Sequence, residues 1–203
     1  MRYGVGMTTP RPDSARRSEK SRRAVLSAAL ELLHETGYAA LTVEAIAARA
    51  GVGKQTIYRW WPGKGAVILD AMGDAAPAAP ALPDTGDIDA DLRAVVRAIV
   101  AELADPRLSA TTRALTIETL TSDALAEQVR DRVLRPQLDA VKDRLRAAQD
   151  AGQVRPGIDL DQAVELFVGP AYHRWLLRTG PLTDAYADTL TTLALRALTP
   201  HPS

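Results

Sequence analysis

Apolar residues recur at three- and four-residue steps along most of the chain. Val25, Leu26, Ala29, Leu30, Leu32 and Leu33 make one stripe, while Arg22, Arg23, Glu31 and Glu35 occupy other positions, as an amphipathic helix requires. This helix should run from about residue 14 to Gly37, a residue suited to a left-handed C-terminal cap. In LTVEAIAARAG, Thr42 is a good N-cap, Leu41 can staple against Ile46, and Gly51 closes a helix of about two turns. Val52 and Gly53 then form a tight turn into KQTIYRWW, a helix of about two turns that Pro62 and Gly63 interrupt. A short helix over 64–72 follows.

Pro77, Pro80 and Pro83, between Gly73 and Gly86, then mark a connector that is stiff rather than floppy. Beyond it, 87–103, 109–120 and 123–149 read as helices, and Pro136 should kink or split the third. The last two helices are expected over 160–178 and 183–198, and no strand-like alternation occurs. The predicted fold is all-α: a three-helix helix-turn-helix head and a larger C-terminal helical bundle, about nine helices in total. The expected division is a flexible arm over 1–14, a head over 15–62, a linking helix and connector over 63–86, and a body over 87–203.

Composition narrows the chemistry. The 203 residues include no cysteine, which excludes disulfides, thiolate metal sites and thiol nucleophiles. No apolar run approaches the roughly 18 residues of a membrane span, and the polar, Arg-containing start lacks the apolar core of a signal peptide. The chain therefore reads as cytoplasmic with no membrane partner. Its formal charge of zero is a cancellation: residues 1–73 carry 11 Lys and Arg against 6 Asp and Glu, and residues 74–203 carry 14 against 19. A basic first third points to an anionic partner, because binding responds to the local field.

The stretch GVGKQTIYRWWPGK concentrates that signal. If Val43, Ile46 and Ala47 face Ile57, with Val52 filling the turn and Trp61 closing the bottom, then Lys54, Gln55, Thr56, Tyr58, Arg59 and Trp60 remain on or near the exposed side. Gln and Thr can read base edges in the major groove, Arg or Lys can donate to guanine, and a Tyr hydroxyl can meet a phosphate. Thr42 and Lys64 add phosphate donors that set register. Trp60 is either an unusual DNA contact or a second wedge in the core.

The run TVEAIAARAGVGKQTIYRWWPGK, residues 42–64, resembles the DNA-binding signature of the tetracycline-repressor (TetR) family of bacterial transcription regulators. The resemblance spans about residues 22–69. It implies a three-helix head, a fourth helix leading to a larger helical body, and a homodimer that binds a double-stranded DNA operator and is released by a small-molecule effector. On this resemblance Thr42, Tyr58 and Lys64 match phosphate-contacting positions, and Lys54, Gln55, Thr56 and Arg59 match the base-facing stretch. The chain departs from the family pattern at Gly53, where many members have Ser, and at Trp60-Trp61, where His-Phe is usual.

In the body, Val164, Val168, Ala171 and Trp175 on one helix, with Leu190, Leu193 and Ala197 on the next, make apolar stripes expected to pair with a second copy. Arg113, Glu118, Phe167 and Tyr172 are candidate effector contacts. His173 lies among aromatics, but with three histidines and no cysteine a metal site is not expected, and neither is a cofactor. No GxGxxG, HExxH or GxSxG occurs, so an all-α enzyme is a poor alternative to a regulator. A sequence-tolerant architectural DNA binder is the other alternative, although it would not need the mixed Gln, Thr and Arg face.

Overall fold

Side-chain caps set where most of the helices begin. The structure is a computed structural model that describes residues 13–75 and 82–200. Nearly all of the expected arm and the proline-rich centre of the connector lie outside these residues. The chain divides into two compact units, one ending at Asp74 and the other starting at Ala75.

The first unit holds α1 (Asp13–Thr36), α2 (Val43–Ala50), α3 (Lys54–Tyr58) and α4 (Lys64–Ala75). Thr42 caps α2 by accepting from the Ala45 amide at 3.1 Å, a contact type worth about 1 kcal/mol. Gly51 ends the helix at φ 66°, and two bonds close the turn: Gly51 N–H donates to Ala48 O at 3.3 Å and Val52 N–H to Ala47 O at 3.0 Å. This crossed pair requires a left-handed residue, which glycine adopts without a Cβ clash. Val25, Ala29, Leu33, Ile46 and Ile57 on α1–α3 and Val67 and Ile68 on α4 are fully or almost fully buried. The reading helix α3 has five helical residues, shorter than the expected two turns, and α4 runs three residues past its expected end.

The second unit holds α5 (Ile88–Ala104), α6 (Pro106–Thr119), α7 (Asp123–Val129), α8 (Arg135–Asp150), α9 (Leu160–Leu177) and α10 (Asp184–Leu198). Asp87, Asp105, Ser122, Asp159 and Thr183 cap α5, α6, α7, α9 and α10 through their side chains. α6 starts three residues earlier than expected, because Asp105 caps it and Pro106 takes the first position, where the missing N–H costs nothing. A π-helical turn, Arg130–Leu134, joins α7 to α8. The proline effect expected at Pro136 therefore takes the form of a widened turn just before it rather than a break. Counting α7, this turn and α8 as one run, the described residues form nine helical stretches and no strand.

One buried charge pair organises this unit. Asp91 on α5 is 1% exposed and accepts from Thr85 Oγ1 at 2.8 Å, from the Thr85 amide at 3.1 Å, and from Arg144 Nε on α8 at 2.7 Å. Burial alone would raise the Asp91 carboxyl, but the Thr85 and Arg144 hydrogen bonds outweigh it and hold the group below its ordinary value.

The stripes expected to pair with a second copy lie largely inside the protomer. Val164, Ala171, Trp175 and Leu190 are buried within the protomer, and Val168 packs against the same core. Of the expected set, Leu193 and Ala197 are exposed. Apolar residues run most of the way round α9, so periodicity alone could not say which side faces inward. Its outward side carries Leu166, Leu176 and Leu177, with Gly169, Pro170 and His173 between them.

Candidate nucleic-acid interface

Ile57, fully buried, pins the inner side of α3, and Trp61, 3% exposed, closes the end of the turn that follows it. The Trp61 indole N–H donates to Asp70 on α4 at 2.8 Å, and the Trp60 and Trp61 amides both donate to Ile57 O at 2.9 Å. With its inner side fixed, α3 turns Lys54, Gln55, Tyr58 and Arg59 outward, and Thr56 is half-buried. Trp60 is also half-buried. It stacks edge-on against Trp61 with ring centroids 5.3 Å apart, and the Arg59 guanidinium lies 5.3 Å over its ring. Trp60 thus lies between core and surface, with one side of its ring against Trp61 and Arg59 over it.

The charges on this surface are held unequally. Lys54 pairs with Glu44 at the start of α2 and lies 5.4 Å from the Tyr58 ring centroid. The Glu44 carboxylate raises the Lys54 ammonium above its ordinary value, and Lys54 lowers Glu44 in return. Sequence reasoning missed Glu44, because the pair joins two helices across ten residues and follows no intrahelical spacing. Arg49 is occupied by Glu35 and Glu31. Arg59 has no carboxylate partner among the described residues.

Lys64 is placed differently from a free surface charge. Its ammonium donates to Tyr38 O at 2.9 Å and Leu41 O at 3.0 Å and lies 4.1 Å over the Tyr38 ring. Desolvation lowers its pKa. Two of its three protons thus tie the α1–α2 loop to the start of α4, which leaves one for a phosphate. The Thr42 hydroxyl is exposed beside that loop.

Gly53 caps α3 with φ −74° and no side-chain bond, and a Cβ there would meet nothing closer than Thr56 Oγ1 at 4.0 Å. Gly53→Ser should therefore add a cap without strain and stabilise the head by a few tenths of a kcal/mol. Slower amide exchange at Gln55 and Thr56 is the expected observation, and faster exchange would contradict it.

Among the expected effector residues, Phe167 is fully buried in the core of the second unit. Tyr172 is half-buried and packs edge-on against Trp175 at 5.7 Å, and burial raises its hydroxyl above the ordinary value. Glu118 is half-buried, with its carboxyl raised by burial. Arg113 places its guanidinium 4.9 Å over the Trp175 ring and lines a cleft. Arg113 and Tyr172 thus meet on the same Trp175 ring. His173 is exposed, and no group of three or more metal-binding side chains occurs among the described residues.

Comparison with known proteins settles the family. Residues 25–71 match the family model described as bacterial regulatory proteins, tetR family, and residues 82–194 match the tetracyclin repressor-like C-terminal domain. The chain belongs to the TetR family. It is 33% identical over 183 residues to the uncharacterized HTH-type transcriptional regulator YdeS of Bacillus subtilis, covering 90% of this chain and 91% of that one. The DNA-binding transcriptional repressor TetR of Mycobacteroides abscessus is 33% identical over 181 residues, covering 86% of this chain and 91% of that protein. The solved TetR family transcription regulator SCO0332 superposes with a TM-score of 0.67 at 37% identity, over 89% of this chain and all of that one. This TetR-family protein is accordingly a helix-turn-helix transcription regulator and not an enzyme. No described helix is long and apolar enough to cross a membrane.

Proposed function

We propose that this chain is an effector-responsive repressor that binds a palindromic operator as a homodimer in the cytoplasm. The first unit would read DNA, and the second would pair with its copy and hold the effector. The observation that carries the reading is the outward set Lys54, Gln55, Tyr58 and Arg59, fixed from behind by buried Ile57 and Trp61. Thr42, Tyr58 and the remaining Lys64 proton would meet phosphates. Lys54, Gln55, Thr56 and Arg59 would face bases, with Trp60 steadying Arg59 from below.

Five helical residues give too few contacts for useful specificity, so two heads placed about 34 Å apart on one face of the duplex would be needed. The outward apolar side of α9 with Leu193 and Ala197 of α10 is the surface we assign to the second copy. An effector that binds one arrangement of the body better than another would lower operator affinity by shifting populations. Repression rather than activation is favoured by the Mycobacteroides abscessus relative, a DNA-binding transcriptional repressor.

Selection from random DNA should enrich one palindrome. On it, Arg59→Ala should lose roughly ten- to a hundredfold in affinity and relax preference at one position per half-site. Tyr58→Ala should weaken binding to all sequences alike, and Lys64→Ala should also flatten the salt dependence by about one unit of slope per head, about two for the dimer. Binding that is unaffected by both Arg59→Ala and Tyr58→Ala would remove the assignment.

A further inference from the structure

The body contains a cationic cleft that its internal ion pairing does not explain. In a part of the chain where acidic residues outnumber basic ones, Arg93 and Arg97 meet Asp188, Arg144 meets Asp91, and Lys142 meets Asp139 and Asp161. Arg113, Arg174 and Arg178 have no carboxylate partner among the described residues, and all three line one cleft of about 350 Å³ between α5, α6 and the end of α9. That volume is in the range of small-molecule sites.

Two of the three guanidiniums are held in place. The Trp175 indole N–H donates to buried Ser109 Oγ at 2.7 Å, which fixes the ring under Arg113 at 4.9 Å. Arg174 lies 3.7 Å over the Tyr186 ring and donates to Pro181 O at 3.3 Å. Positions fixed in this way lose little freedom when a ligand arrives. Arg178 adds an independent sign. It ends α9 at φ 54°, the one non-glycine residue with positive φ among those described, at a cap position where glycine is the unstrained choice. The arginine thus occupies a position of conformational cost at the cleft, the kind of strain found at binding sites. Leu103, Leu182 and the Trp175 ring give the cleft an apolar part of its lining.

We propose that this cleft binds a small organic anion, a carboxylate or sulfonate on an apolar or aromatic body, with the anionic group among Arg113, Arg174 and Arg178 and the body against Trp175. Guanidiniums match planar anions through paired N–H donors, and the indole and leucines supply the apolar contact. The proposal deepens the effector-responsive reading and rests on it only for the consequence at DNA.

The test uses the full chain without DNA and two fluorescent probes of similar shape, anionic 8-anilinonaphthalene-1-sulfonate and neutral N-phenyl-1-naphthylamine. The anionic probe should bind saturably, once per protomer, and about tenfold or more tighter than the neutral one. Arg113→Gln should weaken the anionic probe by about tenfold and leave the neutral probe unchanged. Arg178→Gly should weaken the anionic probe while raising the melting temperature, because it removes the left-handed strain. Lost affinity with gained stability is a combination that a purely structural arginine would not give.

Equal affinity for the two probes, or unaltered anion binding in both variants, would overturn the proposal. So would variants that change the monomer–dimer equilibrium and leave probe binding intact, which would assign the arginines to acidic side chains of a second copy. Operator release by the anionic probe, measured separately, tests the regulatory reading: binding without release keeps the site and removes its effector role.

Discussion

Asp91→Ala should destabilise the second unit by about 3–5 kcal/mol at pH 7, because it leaves the Arg144 guanidinium, 10% exposed, with its buried partner gone. Against typical domain stabilities of about 5–15 kcal/mol this is a large fraction. The loss should appear as a lower urea midpoint for the full chain and as faster amide exchange in α5 and α8, while α1–α3 keep their protection. Arg144 also reaches Asp84 at 3.3 Å, but Asp84 is 72% exposed, so water can replace that contact. The double variant Asp91→Leu with Arg144→Met should recover most of the loss, since no charge is then left buried alone.

Acid gives the same pair a second readout. The folded-state pKa of Asp91 is depressed, so its contribution is complete above the unfolded carboxyl value of about 3.9 and is lost as pH falls through the lower folded value. The stability gap between wild type and Asp91→Ala should therefore be constant near neutrality and begin to narrow as pH falls below about 4. A gap that persists unchanged into acid would show that packing at this position, not charge, carries the effect.

Trp61→Ala should cost the head about 3–5 kcal/mol and abolish operator binding, because the five helical residues of α3 cannot hold their shape without the core behind them. Trp61→Phe keeps a ring in the pocket and loses the bond to Asp70, so about 1 kcal/mol is expected. Trp60→Ala should be mild in stability and should act on DNA binding through the loosened Arg59. Amide exchange at Trp60 and Trp61, whose N–H groups both donate to Ile57 O, separates these cases. If Trp60→Ala opens these amides and Trp61→Ala does not, the two indoles have exchanged roles.

Much of the head was legible because its signals are local. Thr42 and Gly51 bracket α2 by cap chemistry that acts within a few residues, and Ile57 and Trp61 fall on the inner side by helical spacing. The family signature lies in the same short window, within the matched residues 25–71.

Partnerships between helices were not legible. Lys54 with Glu44, Lys64 with the Tyr38 and Leu41 carbonyls, and Asp91 with Arg144 join residues 10 to 53 positions apart, and no periodicity selects one such pairing over another. The inner side of α9 was undecidable for the same reason: with apolar residues on both sides, only packing against α5, α8 and α10 turns Phe167, Ala171 and Trp175 inward and leaves Leu166 and Leu177 outside.

By itself, then, the sequence determined most of the helices, the two caps of α2 and the short stretch proposed to face DNA, since these rest on interactions within about one or two turns of chain. Tertiary structure alone decided which arginines are neutralised and which converge on an open cleft, because charge pairing depends on distances in space that the order of residues does not contain.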